Sequence, residues 1–243
     1  MSAGALDLQQ ILQRLRASEW VDLTHSFAPG VPHYHQFPDE QREQLFDYSD
    51  GFRVHEYRHV GQWGTHVDPP SHFIEGGRTL DQLPVTDMVL ELVVLDARSR
   101  VEADPDYAAD AALVRAHEEE HGPVPEGAFV ALRTGWSERW PDPEAFDNGG
   151  RRPGWDVSAL EVLVDGRGIA AIGHETTDTD PAAVLAAGST AAETLILDRD
   201  RWQIEGMASL DRLPARGALI VAAWPKPAGG SGFPARCFAI LPS

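Results

Sequence analysis

The sequence predicts an α/β fold: a mixed β-sheet core with flanking helices, in one domain over residues 1–243. Three observations predict it. Short continuous apolar runs, such as Met88 to Asp96 and Phe129 to Thr134, have the length and composition of buried strands. Stretches with apolar residues at helical spacing, such as Leu6 to Ala17, lie between and around them. The two kinds follow no regular β-α alternation, which predicts a mixed sheet.

The elements follow in order. Leu6, Leu8, Ile11, Leu12 and Leu15 recur at helical spacing and predict an amphipathic helix ending near Ala17. Trp20 to Thr24 reads as a short strand, and Ala28 to Phe37 as a loop containing Pro and His. Phe52 to Val60 alternates and reads as a strand, and Met88 to Asp96 as a buried strand. Asp106 to His121 reads as a helix stopped by Gly122-Pro123. Phe129 to Thr134 is a strand. Trp136 to Trp155, rich in Pro, Gly and Asp, is a long loop suited to a lid or pocket wall. Val157 to Arg167 reads as a helix, Ile169 to Gly173 as a strand and Thr190 to Asp198 as a helix. Leu219 to Trp224 and Phe238 to Leu241 are strands. No repeat, low-complexity tail or linker interrupts them.

The formal charge is −18, from 38 acidic against 20 basic residues. That disfavours nucleic acid or an anionic membrane as the main partner. Lys226 is the only Lys, so Schiff-base or phosphate-loop lysine chemistry has one candidate. Cys237 is the only Cys, which excludes an intrachain disulfide and Cys-rich zinc sites; in its apolar run it reads as a buried, inert thiol. No basic-then-apolar leader pattern opens the chain, and no apolar run reaches the ~18 residues of a membrane span. A cytoplasmic protein is expected.

The densest chemistry lies in Gln62-Trp-Gly-Thr-His66-Val-Asp68-Pro-Pro-Ser-His72-Phe73. An amide, two imidazoles and a carboxylate occupy the even positions 62, 66, 68 and 72. An extended backbone would turn all four to one face, and Pro69-Pro70 disfavours a helix. Imidazole and carboxylate ligate divalent first-row metals, and an amide oxygen can join them. His72 follows Asp68 closely enough to serve as an acid/base group at such a metal.

These residues carry a resemblance. Gly64-Thr-His66-Val-Asp68-Pro-Pro-Ser-His72 is similar to the His-x-Gly-Thr-His-x-Asp-x-Pro-x-His signature of the cyclase family of metal-dependent hydrolases, which includes bacterial kynurenine formamidase and isatin hydrolase. Val21-Asp-Leu-Thr-His25, Arg133-Thr-Gly-Trp136 and Pro227 to Arg236 resemble further parts of that family. The resemblance implies a kynurenine formamidase/cyclase-like (swivelling β/β/α) fold, one or two divalent metal ions, a small-molecule substrate and a homodimer or homotetramer. Gln62 stands where the family has its first His. Its harder oxygen donor tilts metal preference toward Mn²⁺ over Zn²⁺. A related trans-dienelactone hydrolase group uses Gln at such positions, which keeps Gln62 a ligand candidate. The family also uses a downstream His and Glu twelve residues apart, and the matching positions here are Glu193 and Glu205.

Other features carry a bland reading beside a functional one. His117-Glu-Glu-Glu-His121 fits the H-E-x-x-H zinc-protease pattern, but three consecutive Glu and the stop at Gly122-Pro123 mark a solvated helix end. His174 follows a strand and opens a polar cluster suited to substrate contacts. His33, His35, His55 and His59 are less specified. Trp224 to Pro234 offers backbone N–H groups to an anion, or a plain turn. Trp63, Trp136, Trp140 and Trp155 are candidates for an aromatic pocket wall, although Trp commonly just packs.

The expectation is a metal-dependent hydrolase that cleaves a C–N bond in a small aromatic or cyclic amide. Gln62, His66, Asp68 and Glu205, with Glu193 as a further candidate, would hold metal. His72 would be the general acid/base, and His174, Trp63 and Trp136 would contact substrate. The alternatives are a lactone hydrolase or polyketide-type cyclase using the same site, and a non-enzymatic metal- or ligand-binding module.

Overall fold

The predicted apolar runs become strands because each supplies two apolar faces to a sheet covered on both sides. The protein is described as a computed structural model over residues 7–242. In chain order the first elements are α1 (Leu8–Ala17), β1 (Trp20–Asp22), β2 (Gln41–Phe46), β3 (Val54–Arg58), β4 (His66–Asp68) and β5 (Val89–Asp96). Next come α2 (Arg98–Ala103), β6 (Ala108–Ala109), α3 (Ala111–His121), β7 (Phe129–Arg133), α4 (Pro143–Asp147), β8 (Gly154–Trp155) and α5 (Val157–Glu161). The chain closes with β9 (Ala171–His174), α6 (Ala182–Ala186), α7 (Ala191–Asp198), β10 (Trp202–Glu205), β11 (Ala218–Ala223), β12 (Phe233–Pro234) and β13 (Arg236–Ile240).

Nine strands form one mixed sheet in the order β1-β13-β11-β5-β7-β9-β10-β4-β12. The central β5, β7, β9 and β10 are parallel, and the flanking pairs are antiparallel. Alternation along β5 shows the two faces. Val93 and Leu95 join Val130, Leu132 and Ile172 under α3, α5 and α7. Leu92 and Val94 join Phe129, Ala131, Val67, Ile204 and Ile220 on the other face. That second face closes on itself, because the sheet curls. A bridge between Thr24 and Met207 and the bond from Ala208 N–H to Leu23 O tie the end of β1 to the chain after β10. Each fully buried Leu or Ile stabilises this arrangement by roughly 1.5–3 kcal/mol.

Several elements differ from expectation for local reasons. The helix expected from Asp106 starts at Ala111, because the Asp110 carboxylate caps it by accepting from Ala112 and Leu113 N–H. The stretch from Trp136 to Trp155 is not all loop: Asp142 caps α4 with Pro143 in its first turn, and β8 pairs with β6. The helix expected over Val157 to Arg167 widens into a π-helical turn at Val162–Gly166. α1 forms with a reciprocal Asp7–Gln10 cap, yet buries none of its side chains; the expected start at Leu6 lies outside the described residues. β2 was not expected, since all six of its side chains are exposed and show no alternation. Among the described residues, no helix is long and apolar enough to cross a membrane.

Candidate metal centre

The site begins with a strand register. β10 runs antiparallel to β4, so Glu205 lies opposite His66 and Gln203 opposite Asp68. Directly opposed residues share a face, and so do alternate residues of a strand. His66, Asp68, Gln203 and Glu205 therefore converge at one end of the sheet. The expected single extended run holds for His66 and Asp68 only. After Asp68 the prolines turn the chain into a 3-10 segment, Pro70–His72, and His72 arrives by that turn. Before His66 the backbone bends at Gly64, whose φ is +64° and where a Cβ would meet Phe27 Cβ at 2.9 Å. The Thr65 hydroxyl donates to Gly206 O and locks the two strand ends together.

His66 Nδ1 lies 2.9 Å from Gly64 O and donates to it, which leaves Nε2 as the nitrogen that faces the centre. That Nε2 is 3.3 Å from Asp68 Oδ2 and 3.4 Å from Glu205 Oε2. The other Glu205 oxygen is 3.3 Å from His174 Nε2. Across Asp68, His72 Nε2 is 3.9 Å from Glu193 Oε1. Two ligand triads result, His66/Asp68/Glu205 and Asp68/His72/Glu193; within each, the ligand atoms all lie within 4.8 Å of one another. Asp68 belongs to both.

Electrostatics suit a divalent cation at this centre. Among the described residues, no Lys or Arg pairs with Asp68, Glu193 or Glu205. Burial opposes charge on His66, but Asp68 and Glu205 overrule it and hold its pKa well above the ordinary value. Burial likewise opposes ionisation of Glu205, yet His174 and His66 keep it below the carboxylate range. Glu193 is pushed well up by burial and then by Glu205, Asp68, Asp178 and Asp180. The Asp178 carboxyl is raised to about 6 by burial and Glu205. His66 Nε2 is fully buried without a hydrogen-bond partner. An imidazole nitrogen aimed between two carboxylates, free to exchange its proton for a metal, is the donor set of a divalent ion.

Gln62 does not present its oxygen to this centre. Its amide nitrogen donates to Asp68 Oδ1 at 3.0 Å and to Ser231 O at 2.8 Å, so both N–H bonds are taken by acceptors. In this arrangement it orients Asp68, contrary to the expected ligand role. The closing loop makes room for it: a Cβ on Gly232 would lie 1.9 Å from Gln62 Nε2. That loop was a candidate anion cradle; here Gly229 N–H bonds Asp81 and Ser231 O accepts from Gln62, so it braces the site.

The expected substrate contacts are also relocated. His174 is completely buried and backs Glu205. Trp63 is completely buried and packs against His33, with ring centroids 4.5 Å apart and the rings tilted by 40°. Trp136 packs with its Nε1 donating to Phe146 O and Arg139 over its ring. None of the three lines the cavity above the centre. The segment Arg133 to Trp136 instead wraps the buried Glu175 carboxylate, which accepts from Thr134 and Gly135 N–H and the Ser137 hydroxyl. The His117–His121 pair stays outside every metal-ligand group found among the described residues, and burial lowers His117 to about 4.

Sequence reasoning missed Gln203. Its Nε2 lies 3.1 Å from both Glu193 Oε1 and Glu205 Oε1, while its Oε1 accepts from the Thr179 hydroxyl. The signal was present, because Gln203 stands two residues before Glu205 and a strand puts both on one face. Above the centre lies a cavity of about 850 Å³. Tyr34, Phe37, Phe73, Phe146 and Leu185 supply apolar wall, and His66, His72, Glu193 and Glu205 reach its surface.

Comparison with known proteins bears on the family and the fold. A family model described as putative cyclase matches residues 21–181. An isatin hydrolase from Roseibium aggregatum is 33% identical over 244 residues, covering 92% of each chain. The structure of an isatin hydrolase bound to the product analogue thioisatinate superposes with a TM-score of 0.90 at 29% identity, over 98% of this chain and 100% of that one. Isatin hydrolase A from Ralstonia solanacearum gives a TM-score of 0.89 at 29% identity, over 100% of both chains. The family model ends before Glu193, Gln203 and Glu205, so half of the centre comes from outside the matched stretch.

Proposed function

The chain belongs to the cyclase family and is a metal-dependent hydrolase of that family, and from this premise we propose that it opens a C–N bond in a small aromatic or cyclic amide. The observation that carries the reading is the pair of triads sharing buried Asp68 at the floor of a largely apolar cavity. His66, Asp68 and Glu205 would hold the ion, with Glu193 on the far side of Asp68 for a second one. Their oxygen-rich donor set favours Mn²⁺ over Zn²⁺. When bound, the ion supplies Lewis acidity, polarising the scissile carbonyl and lowering the pKa of water from 15.7 toward about 7.

The chain's own groups do the rest. His72 accepts the proton of the attacking water at Nε2 and returns it to the leaving nitrogen. Gln62 and Gln203 hold the carboxylates in place through N–H donation. His174 stabilises ionised Glu205 from behind. The exposed apolar side chains of the β2–β3 hairpin, Leu45, Phe46 and Val54, support self-association as a homodimer or homotetramer, which light scattering measures.

The test is a panel of isatin, an N-formylated aromatic amine and a lactone, run in ¹⁸O-labelled water. Turnover of an amide with label entering the new carboxylate is expected. Turnover of the lactone alone would move the assignment to an esterase, and unlabelled product would move it to a cyclase.

A further inference from the structure

The cavity contains one strong cation, and it is already spoken for. Arg152 is the only Arg or Lys lining the cavity among the described residues. Its Nη1 donates to Asp147 and its Nη2 to Asp178 Oδ2, 3.1 Å away. Both carboxylates line the same cavity, as do Glu193 and Glu205. One guanidinium shared by two carboxylates leaves a local excess of negative charge. The Arg152 Nε is buried without a partner, so the two Nη groups that face Asp147 and Asp178 are the donors the cavity sees.

Asp147 is the weaker restraint of the two. It sits at the end of α4, and its side chain is 57% exposed against 16% for Asp178. It is held by Gly150 N–H as well as by Arg152. Gly149 and Gly150 both adopt positive φ, so the turn that aims Asp147 at Arg152 is built for that shape.

We infer that Asp147 and Asp178 withhold Arg152 from substrate, and that the cavity thereby selects neutral, apolar ring amides over carboxylate-bearing ones. The inference rests on the amide-hydrolase reading above and names the substrate class for it. The cavity volume of about 850 Å³ lies in the range of about 300–1,000 Å³ that takes drug-sized ligands, so the favoured substrates extend beyond a single fused bicycle. On the wall away from the metal ligands, an anionic substituent would meet Asp147 and Asp178, whose two charges already occupy the single guanidinium of Arg152.

A gain of function tests this, since misfolding cannot produce one. The Mn²⁺-loaded protein and its Asp147→Asn and Asp147→Asn/Arg152→Gln variants are assayed on isatin and on isatin-5-carboxylate. Asp147→Asn is expected to lower KM for the carboxylate about tenfold, the value of one freed charge-assisted hydrogen bond, with KM for isatin changing less than about twofold. The double variant is expected to lose the gain. Equal shifts on both substrates, or a gain that survives Arg152→Gln, would overturn the inference. Equilibrium titration with indole and indole-5-carboxylate, which lack the scissile amide, reads the same preference without turnover. If neither isatin is hydrolysed, the reaction assignment falls, while the titration still decides the charge selectivity: tighter indole-5-carboxylate binding by the wild-type protein would overturn it.

Discussion

Replacing Asp68 by Asn removes the one charge common to both triads while keeping the shape of the side chain. Asp68 is completely buried, and its oxygens accept from Gln62 Nε2 at 3.0 Å and Gln203 Nε2 at 3.5 Å. The asparagine oxygen can keep the shorter bond to Gln62, and its NH2 can donate to His66 Nε2 in place of the lost ion pair. The metal-free protein loses the longer contact, about 1 kcal/mol, and below the raised His66 pKa also the attraction between Asp68 and protonated His66, so each protein serves as its own metal-free reference. The metal-bound protein loses far more. Two unit charges 3.3 Å apart, the His66–Asp68 spacing, interact by roughly 5 kcal/mol at an effective dielectric near 20. Even a fraction of that raises the metal Kd a hundredfold, at about 1.4 kcal/mol per decade. At Mn²⁺ set to about 100 times the wild-type Kd, binding stabilises the wild type by about 2.7 kcal/mol and the variant by about 0.4 kcal/mol. Thermal unfolding with chelator and with Mn²⁺ should show a metal-induced rise of about 5–11 °C in the wild type and under about 2 °C in Asp68→Asn. Equal rises in both proteins would refute the placement of the ion at Asp68.

Other consequences are open to equally simple assays. His72→Ala should keep the part of the metal-induced rise in Tm that His66, Asp68 and Glu205 carry, lose any part that a second ion at Asp68, His72 and Glu193 adds, and lose about 10²–10⁴ in kcat as general acid–base help is removed. In the metal-free protein the raised His66 pKa contributes stability that is full below the ordinary 6.5 and is lost as pH climbs through the elevated folded value. Tm measured with chelator should therefore fall as pH rises above about 6.5, and Mn²⁺, which replaces that proton, should flatten the fall; parallel profiles would contradict the assignment. Burial pushes the Cys237 thiol up to about 12, so alkylation at pH 8 should fail on the folded protein and proceed after denaturation, as read by intact mass.

How much of this was legible in the sequence depended on whether the information was local. His66, Asp68 and His72 were readable because eleven consecutive residues carry them, and the structure brings them together. The buried strands β5 and β7 were readable because their apolar runs face cores on both sides, and β11 because its run is apolar throughout although only one of its faces meets a core. β10 was not, since a four-residue strand carrying Gln203 and Glu205 looks polar until β4 pairs with it and the acid-rich site explains the polarity. Gln62 was readable as a polar neighbour, but the direction of its amide depends on Ser231, far along the chain, and no local pattern encodes that contact. Trp63 and Trp136 were assigned to substrate from residue type, and His174 from its place at a strand end that opens a polar cluster. Their positions in the fold, inside the core or behind Glu205, decided otherwise. Arg152 and Asp178 meet across a turn and a strand end, and only the folded cavity shows that they belong together.

The central claim is that a divalent ion at His66, Asp68 and Glu205 is required for amide hydrolysis. Its most direct test is to strip the protein with chelator, confirm by elemental analysis that metal is gone, and measure isatin hydrolysis before and after stoichiometric Mn²⁺ is returned. The account predicts activity lost with the metal and restored by one or two equivalents, with no restoration in Asp68→Asn at the same ion concentration. Full activity in the verified metal-free protein would contradict it.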